Sequence, residues 1–397
     1  MVKGYLAEVW SLMKRLIRGE GVVAGVLSGT SGDGIDVGLT RMLVEPGGEG
    51  RARVVGCEAL AFETLPFPTE LRGRVRQALD GEDLGPREIA LLGRDLGVLF
   101  GSSAAQVASA AGLELDLVGS HGLTLYHHDG AEGTGPASLQ VGDGDHVAEA
   151  AGCTVVSDFR QRDIAAGGEG APLSILADDA IFGGTARPTT ILNLGGLANL
   201  SFLPREGAAL AFDTGPAGAL LDGLARRLLK EECDWDGRAA ARGVLREDWL
   251  EGWLDHPFFD HAPPKSTGRD TFGERWLDSL LASAGPGARN EDLLRTAVEL
   301  VACTVARGIR EHLPPSPGRL FVAGGGVHNP ILMGALESQL DGQVASSASI
   351  GVDPDAREAL VFAVLATRTV LGEPVTCPSA TGAASGRILG KISQSQR

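Results

Sequence analysis

The chain predicts an α/β fold built as two similar lobes, and three observations carry that prediction. At 397 residues it exceeds what one hydrophobic core usually supports, so two domains of somewhat under ~200 residues each are expected. An apolar run at 21–27 drops into the glycine, hydroxyl and carboxylate loop of GVLSGTSGDGID (25–36) and then turns apolar again, which reads as strand, tight turn, strand. The same arrangement returns at 189–203, where strand 189–194, the turn Gly195-Gly196 and strand 197–203 follow one another. Two halves that open alike suggest a duplicated lobe, although the identity between them is too low to be a sequence repeat.

The elements follow in order. Residues 1–20 place Leu6, Val9, Trp10, Met13, Leu16 and Ile17 on one helical face, with Lys14, Arg15 and Arg18 interrupting any apolar run. They read as a helical extension packed on the body, with a membrane-surface role as the alternative, and not as a signal peptide or spanning helix. Lobe I is expected over 21–183. After its hairpin, 53–62 reads as a strand and 66–79 and 86–111 as helices. Segments 115–120, 138–141 and 153–159 read as strands entering the polar turns SHGLT, GDGD and DFRQRD, where an α/β protein keeps its ligands. Lobe II is expected over 184–373. Its hairpin leads to strand 210–212, the segment DTGP and a helix from about Ala217. Then come an amphipathic segment at 290–312, strand 319–323 entering GGGVHNP, and a helix from near Pro330. A last helix at about 355–371, apolar nearly all round and capped by Asp353-Pro354-Asp355, is expected to be buried. Residues 374–397 would complete lobe I, placing a cleft between the lobes and hinges near 184 and 373.

Composition removes several functions. A net charge of −16 with no basic run argues against nucleic acid, so a phosphorylated ligand must meet local dipoles, Arg, Lys or a metal. The cysteines at 57, 153, 233, 303 and 377 are scattered singly, which suits reduced thiols in a cytoplasmic protein and offers no zinc spacing. The P-loop pattern, a GxGxxG after the first strand and GxSxG are all absent.

Several segments keep two readings at this level. In the opening loop Gly29, Gly32 and Gly34 permit positive φ and close approach to backbone N–H groups, Thr30 and Ser31 supply hydroxyls, and Asp33 and Asp36 can hold magnesium; the same residues also make an ordinary hairpin turn. Gly195-Gly196 reads as a tight turn, and Gly324-Gly325-Gly326, between a strand and a helix start, as a nucleotide-sized ledge or a tight turn. Asp213, before Thr-Gly-Pro, is a turn residue or a helix cap. Glu358 is a charge that needs a partner if buried in its apolar helix, or a solvated helix position.

Nine blocks in order decide among these readings: GVLSGTSGDGID, SHGLT (120–124), LQVGDGD (139–145), DFRQRDIAAGGEGAPL (158–173), LNLGGLANLS (192–201), FDTGP (212–216), PPKSTGRDTF (263–272), AGGGVHNP (323–330) and GVDPDAREALVFA (351–363). Together, over about 22–385, they closely resemble the anhydro-N-acetylmuramic acid kinases. The resemblance implies two actin-like, ribonuclease H-like lobes with mixed sheets flanked by helices, closing on ATP, Mg²⁺ and 1,6-anhydro-N-acetylmuramic acid. It implies ring opening by water coupled to phosphorylation of O6, in cell-wall recycling, by a cytoplasmic homodimer. Asp213 matches the base and Glu358 the residue that holds sugar and water. The segment from Gly29 through Thr30, Ser31, Gly32, Asp33, Gly34 and Ile35 to Asp36 would wrap the triphosphate, Asp33 being the better magnesium ligand. Gly195, Gly196, Gly324, Gly325, Gly326 and Asn329 would line phosphate and adenosine, and His121, Thr124, Arg160, Asp163 and Lys265 the sugar, its carboxylate or the moving phosphate.

The chain departs from the family in three places. Leu123 and Glu169 stand where Gln is usual, and Ala217-Gly218 where Gly-Asn is usual. Two rival functions differ in what they would require. A sugar kinase without ring hydrolysis would keep the base but act on a free hydroxyl. An actin- or Hsp70-like ATP-switched binding protein would have no need of SHGLT and DFRQRD.

Overall fold

The computed structural model describes residues 2–29, 32, 34–47, 51–79, 84–128, 130, 133–340, 344–375 and 377–395, apart from the side chains of 2–8 and 269–270. The chain divides into two compact units, Met1–Gly184 with Ala356–Arg397, and Thr185–Asp355.

Unit 1 is built on β1 (Val22–Ser28), β2 (Gly34–Pro46), β3 (Ala52–Pro66), β4 (Leu117–His128), β5 (Ala137–Val141) and β6 (Thr154–Ser157). Its sheet runs β3-β2-β1-β4-β6, with β5 on β4 and the C-terminal strand Lys391–Ser393 on β6. The β1–β2–β3 meander is antiparallel, whereas β1–β4 and β4–β6 are parallel. Antiparallel neighbours need only a turn, but the parallel step from β3 to β4 needs a crossover, supplied by helices Thr69–Leu79 and Pro86–Ala110. Val26, Ile35, Val37, Leu96, Phe100 and Val118 form its core.

Unit 2 repeats the plan. β7 (Thr189–Leu194), β8 (Leu197–Leu203), β9 (Leu210–Pro216), β10 (Arg319–Ala323) and β11 (Val344–Ser346) run in the order β9-β8-β7-β10-β11. Strand senses match those of unit 1 one for one. Helix Asn290–His312 lies in the β9-to-β10 crossover and, with Leu192, Leu200, Phe212, Leu224 and Val322, builds the core. Both lobes therefore have the ribonuclease H-like strand order.

Three expectations are corrected. Helix Arg357–Val370 belongs to unit 1, so the chain re-enters that unit at Ala356 and not near 373. The cause is contact: a Cβ on Gly25 would stand 1.7 Å from the Ala359 carbonyl oxygen and one on Gly119 2.1 Å from that of Phe362, so glycines in β1 and β4 let the helix backbone lie on the strands. Its start also lacks the expected cap, because Asp353 accepts from the Asp355 N–H (3.0 Å) and the N-cap is Ala356. Third, helix Val2–Ile17 buries Leu12 and Leu16, one turn apart, whereas Trp10 and Ile17 are exposed. Among the described residues no helix is long and apolar enough to cross a membrane.

Candidate active site

The first hairpin closes through a Gly32 N–H to Gly29 C=O bond of 3.1 Å. Gly32 has φ +64°, and a Cβ there would meet Leu79 at 2.5 Å, so turn geometry and packing both require glycine. Gly34 begins β2 beside Thr64. Ile35 is fully buried in the core, so of its groups only the main chain is left for a ligand. The half-buried Asp36 carboxylate accepts from the Thr64 hydroxyl at 2.6 Å. Thr30, Ser31 and Asp33, and with them the magnesium assignment to Asp33, lie outside the described residues. Among the described residues no three His, Cys, Asp or Glu side chains gather as a metal site.

A polar relay lies partway along β4 in unit 1. SHGLT lies inside the strand, which runs on to His128. His121 is buried, stacks on Phe362 with centroids 4.3 Å apart, and accepts at Nε2 from Arg160 Nη2 (2.9 Å). Burial first, and the Arg160 charge second, push its pKa well below the usual histidine value, so it is neutral. Arg160 also donates to the Gly170 carbonyl (2.7 Å), and the Gly170 N–H returns to Asp163 Oδ2 (2.8 Å). Asp163 Oδ1 accepts from Thr381 Oγ1 (2.9 Å), and desolvation raises the carboxyl above its ordinary pKa. Asp163 therefore anchors the 168–170 loop and the C-terminal segment, and reaches Arg160 through the Gly170 peptide. Thr124 accepts from Gln140 Nε2 at 3.2 Å. Leu123 is buried in the core and Glu169 donates its N–H to Thr381 O (2.7 Å).

Unit 2 brings a second set together. Asp213 is a buried residue of β9; its N–H donates to Lys265 O (3.0 Å), and its Oδ2 accepts from the Thr267 N–H (2.9 Å). Lys265 is buried too, with Nζ 4.9 Å from the centre of the Phe258 ring and 3.5 Å from the Phe258 carbonyl. Burial, then the charge of Arg307, lower its pKa, while Asp213 opposes that shift. Gly195 and Gly196 make the β7–β8 turn, and their carbonyls accept from the N–H groups of Ala217, Gly218 and Ala219 at 2.9–3.0 Å. The start of helix Gly218–Leu228 is thus held by the glycine turn. At the end of β10, Gly324 has φ +85°, and its N–H donates to Pro354 O (2.8 Å). Gly325 and Gly326 continue into a 3₁₀ turn. Asn329 caps helix Pro330–Gln339, its Oδ1 accepting from Ile331 and Leu332, so that oxygen is engaged within the protein.

Glu358 sits in unit 1, the one residue of helix Arg357–Val370 that is not buried. The sequence reading passed over its neighbour. Arg357 makes a doubly bonded, fully buried pair with Asp178. The available signal was composition: Asp178-Asp179 and Arg357 and Arg368 stand in apolar helices, where charges must pair. The Thr267 N–H had no signal, since every residue but proline carries that donor.

Two units of one strand order, each ribonuclease H-like, define an α/β protein of duplicated lobes. Comparison then narrows the class. The family described as anhydro-N-acetylmuramic acid kinase matches residues 21–395. Proteins of that name from Xylella fastidiosa (39% identical over 373 residues, 93% of this chain and 95% of that protein), Xanthomonas campestris pv. campestris (41% over 378, 93% and 96%) and Gloeobacter violaceus (37% over 378, 94% and 98%) are similar along nearly their whole length. The chain belongs to the anhydro-N-acetylmuramic acid kinase family.

Proposed function

We propose that this protein is an ATP-dependent kinase that opens 1,6-anhydro-N-acetylmuramic acid with water and phosphorylates O6, giving N-acetylmuramic acid 6-phosphate for cell-wall recycling and amino-sugar catabolism. Family membership across residues 21–395 carries this reading. Asp213 takes a proton from water as its oxygen attacks C1; the C1–O6 bond breaks, O6 takes the γ-phosphoryl group and ADP leaves. The Thr267 N–H fixes the carboxylate for that task. Lys265 and Arg160 supply positive charge for the lactyl carboxylate or the moving phosphate, and Glu358 orients sugar and water. Neutral His121 and Thr124 offer hydrogen bonds, while Asp163 acts by positioning Arg160 through Gly170.

Backbone groups at Gly29, Gly32, Gly34 and Ile35 bind the triphosphate, and Gly195, Gly196, Gly324, Gly325, Gly326 and Asn329 bind phosphate and adenosine. Asp36 at the start of β2, together with Asp33 outside the described residues, would hold Mg²⁺ in the one- or two-carboxylate manner usual beside phosphates, and the ion bound there would offset phosphate charge. Mg²⁺, a cytoplasmic location and a homodimer belong to this reading through the family resemblance.

Incubation with Mg-ATP and the anhydro-sugar in ¹⁸O-water tests it by product mass. One ¹⁸O at C1 together with one phosphate is expected. Phosphorylation without ¹⁸O leaves a plain sugar kinase, and no product removes the kinase.

A further inference from the structure

We propose that Asp178 and Arg357 are positioning residues for the reaction, holding the first turn of helix Arg357–Val370 so that Glu358 is presented in one place; this rests on the role given to Glu358 above. The helix needs such a device. Its N-cap, Ala356, contributes no side-chain bond, and the nearby Asp353 is engaged with Asp355. A helix start without a cap frays readily. Here the first helical residue is clamped instead: Arg357 Nε donates to Asp178 Oδ1 at 3.1 Å and Nη2 to Oδ2 at 2.7 Å, the side chains being 1% and 0% exposed.

The clamp lies where placement matters most. The chain enters unit 1 at Ala356, one residue before it, and Glu358 follows one residue after. Further along, Arg368 bonds Asp179, Leu176 O and Val54 O, so the same two helices are joined at a second level, away from Glu358. Position is thereby fixed in two dimensions of the fork as well as in distance, because a bidentate guanidinium–carboxylate pair tolerates little rotation. Burial of the pair is weak evidence for stability, since well-packed apolar residues often serve as well, and that leaves geometry as the reason to keep it.

Two changes and a cycle test this. Removing one partner strands a buried charge and endangers folding, so the informative variants are Arg357→Lys, which keeps charge but loses the fork, and the double change Asp178→Leu with Arg357→Met. Both are expected to fold with the parent's circular dichroism, to lower kcat about tenfold and to leave KM for ATP within about twofold, as for an interaction felt mainly in the transition state. In a Glu358→Gln background the same changes should lower the residual kcat no further. Equal loss in both backgrounds, or no loss in the parent, overturns the positioning role while leaving Glu358 its own. Parental turnover by Glu358→Gln alone overturns the reading of Glu358 and this inference with it.

Discussion

The two lobes share a strand order and differ in what fills it. In unit 1 the Gly32 N–H donates to the Gly29 carbonyl between β1 and β2, a bond within the hairpin itself. In unit 2 the equivalent turn is only Gly195-Gly196, and its carbonyls hold the start of a helix. Unit 1 keeps a neutral buried histidine in a relay with Arg160 and Asp163; unit 2 keeps a buried carboxylate and a buried lysine whose loop, 263–267, supplies the carboxylate's donor. The lesson is that apolar patterning is enough to repeat a lobe, whereas the lobes are told apart by a few polar residues buried within their strands and the adjoining loops.

The largest effect should come from Asp213→Asn, which leaves the Thr267 donor but removes the carboxylate proposed as the base. A fall in kcat of about a thousandfold with little change in KM for ATP is expected from steady-state kinetics. Turnover like the parent's would take the base out of unit 2.

Next, two glycines, one from each lobe, should differ in tolerance of an added methyl according to whether main chain or side chain lies over them. Gly25→Ala drives a Cβ into the main chain of Ala359, whereas Gly308→Ala in unit 2 meets the Thr214 methyl at 2.9 Å. Chemical denaturation should show a loss of about 3 kcal/mol or more for Gly25→Ala and about 1 kcal/mol for Gly308→Ala, backbone being less able to yield than a side chain. Equal losses would erase the distinction.

His121 gives unit 1 a pH dependence. Its folded pKa is depressed, so below about pH 6.5 the unfolded chain binds a proton that the folded one does not, and stability falls as pH drops, by up to about 1.4 kcal/mol per unit. His256 and His312 of unit 2 are shifted the same way. Denaturation from pH 7 to 5 should therefore show a shallower acid limb in His121→Phe, by up to one proton.

The smallest effect is assigned to Gly218→Asn. An added Cβ would lie 2.9 Å from the Gly195 carbonyl oxygen, so the side chain usual in the family must displace the glycine turn by a few tenths of an ångström. A change in KM for ATP of about threefold, with kcat nearly constant, is expected.

Much of this was legible in the chain. Strand 189–194, strand 197–203, the segment 290–312 and strand 319–323 match the structure residue for residue, because their apolar spacing is regular and their ends are marked by glycine, proline or charge. SHGLT and DTGP were placed in loops but lie within β4 and β9, since pairing of β4 with β1 and then β5, and of β9 with β8, extends the strands past their apolar portions. Asp163 and Asn329 were read as ligand contacts, and the structure engages them with Gly170, Thr381 and a helix start. No spacing rule distinguishes those uses.

The sequence by itself determined that there are two lobes, that each opens with a glycine hairpin, and which family they serve, because these depend on local periodicity and ordered motifs. Only the tertiary structure decided that helix Arg357–Val370 lies on β1 and β4 of unit 1, that Arg357 is tied to Asp178, and that the Asp213 carboxylate rests on the Thr267 amide. Those facts join residues 54 to 334 positions apart, and the reasons for them, close approach at glycine and the pairing of buried charge, exist only once distant segments are packed together.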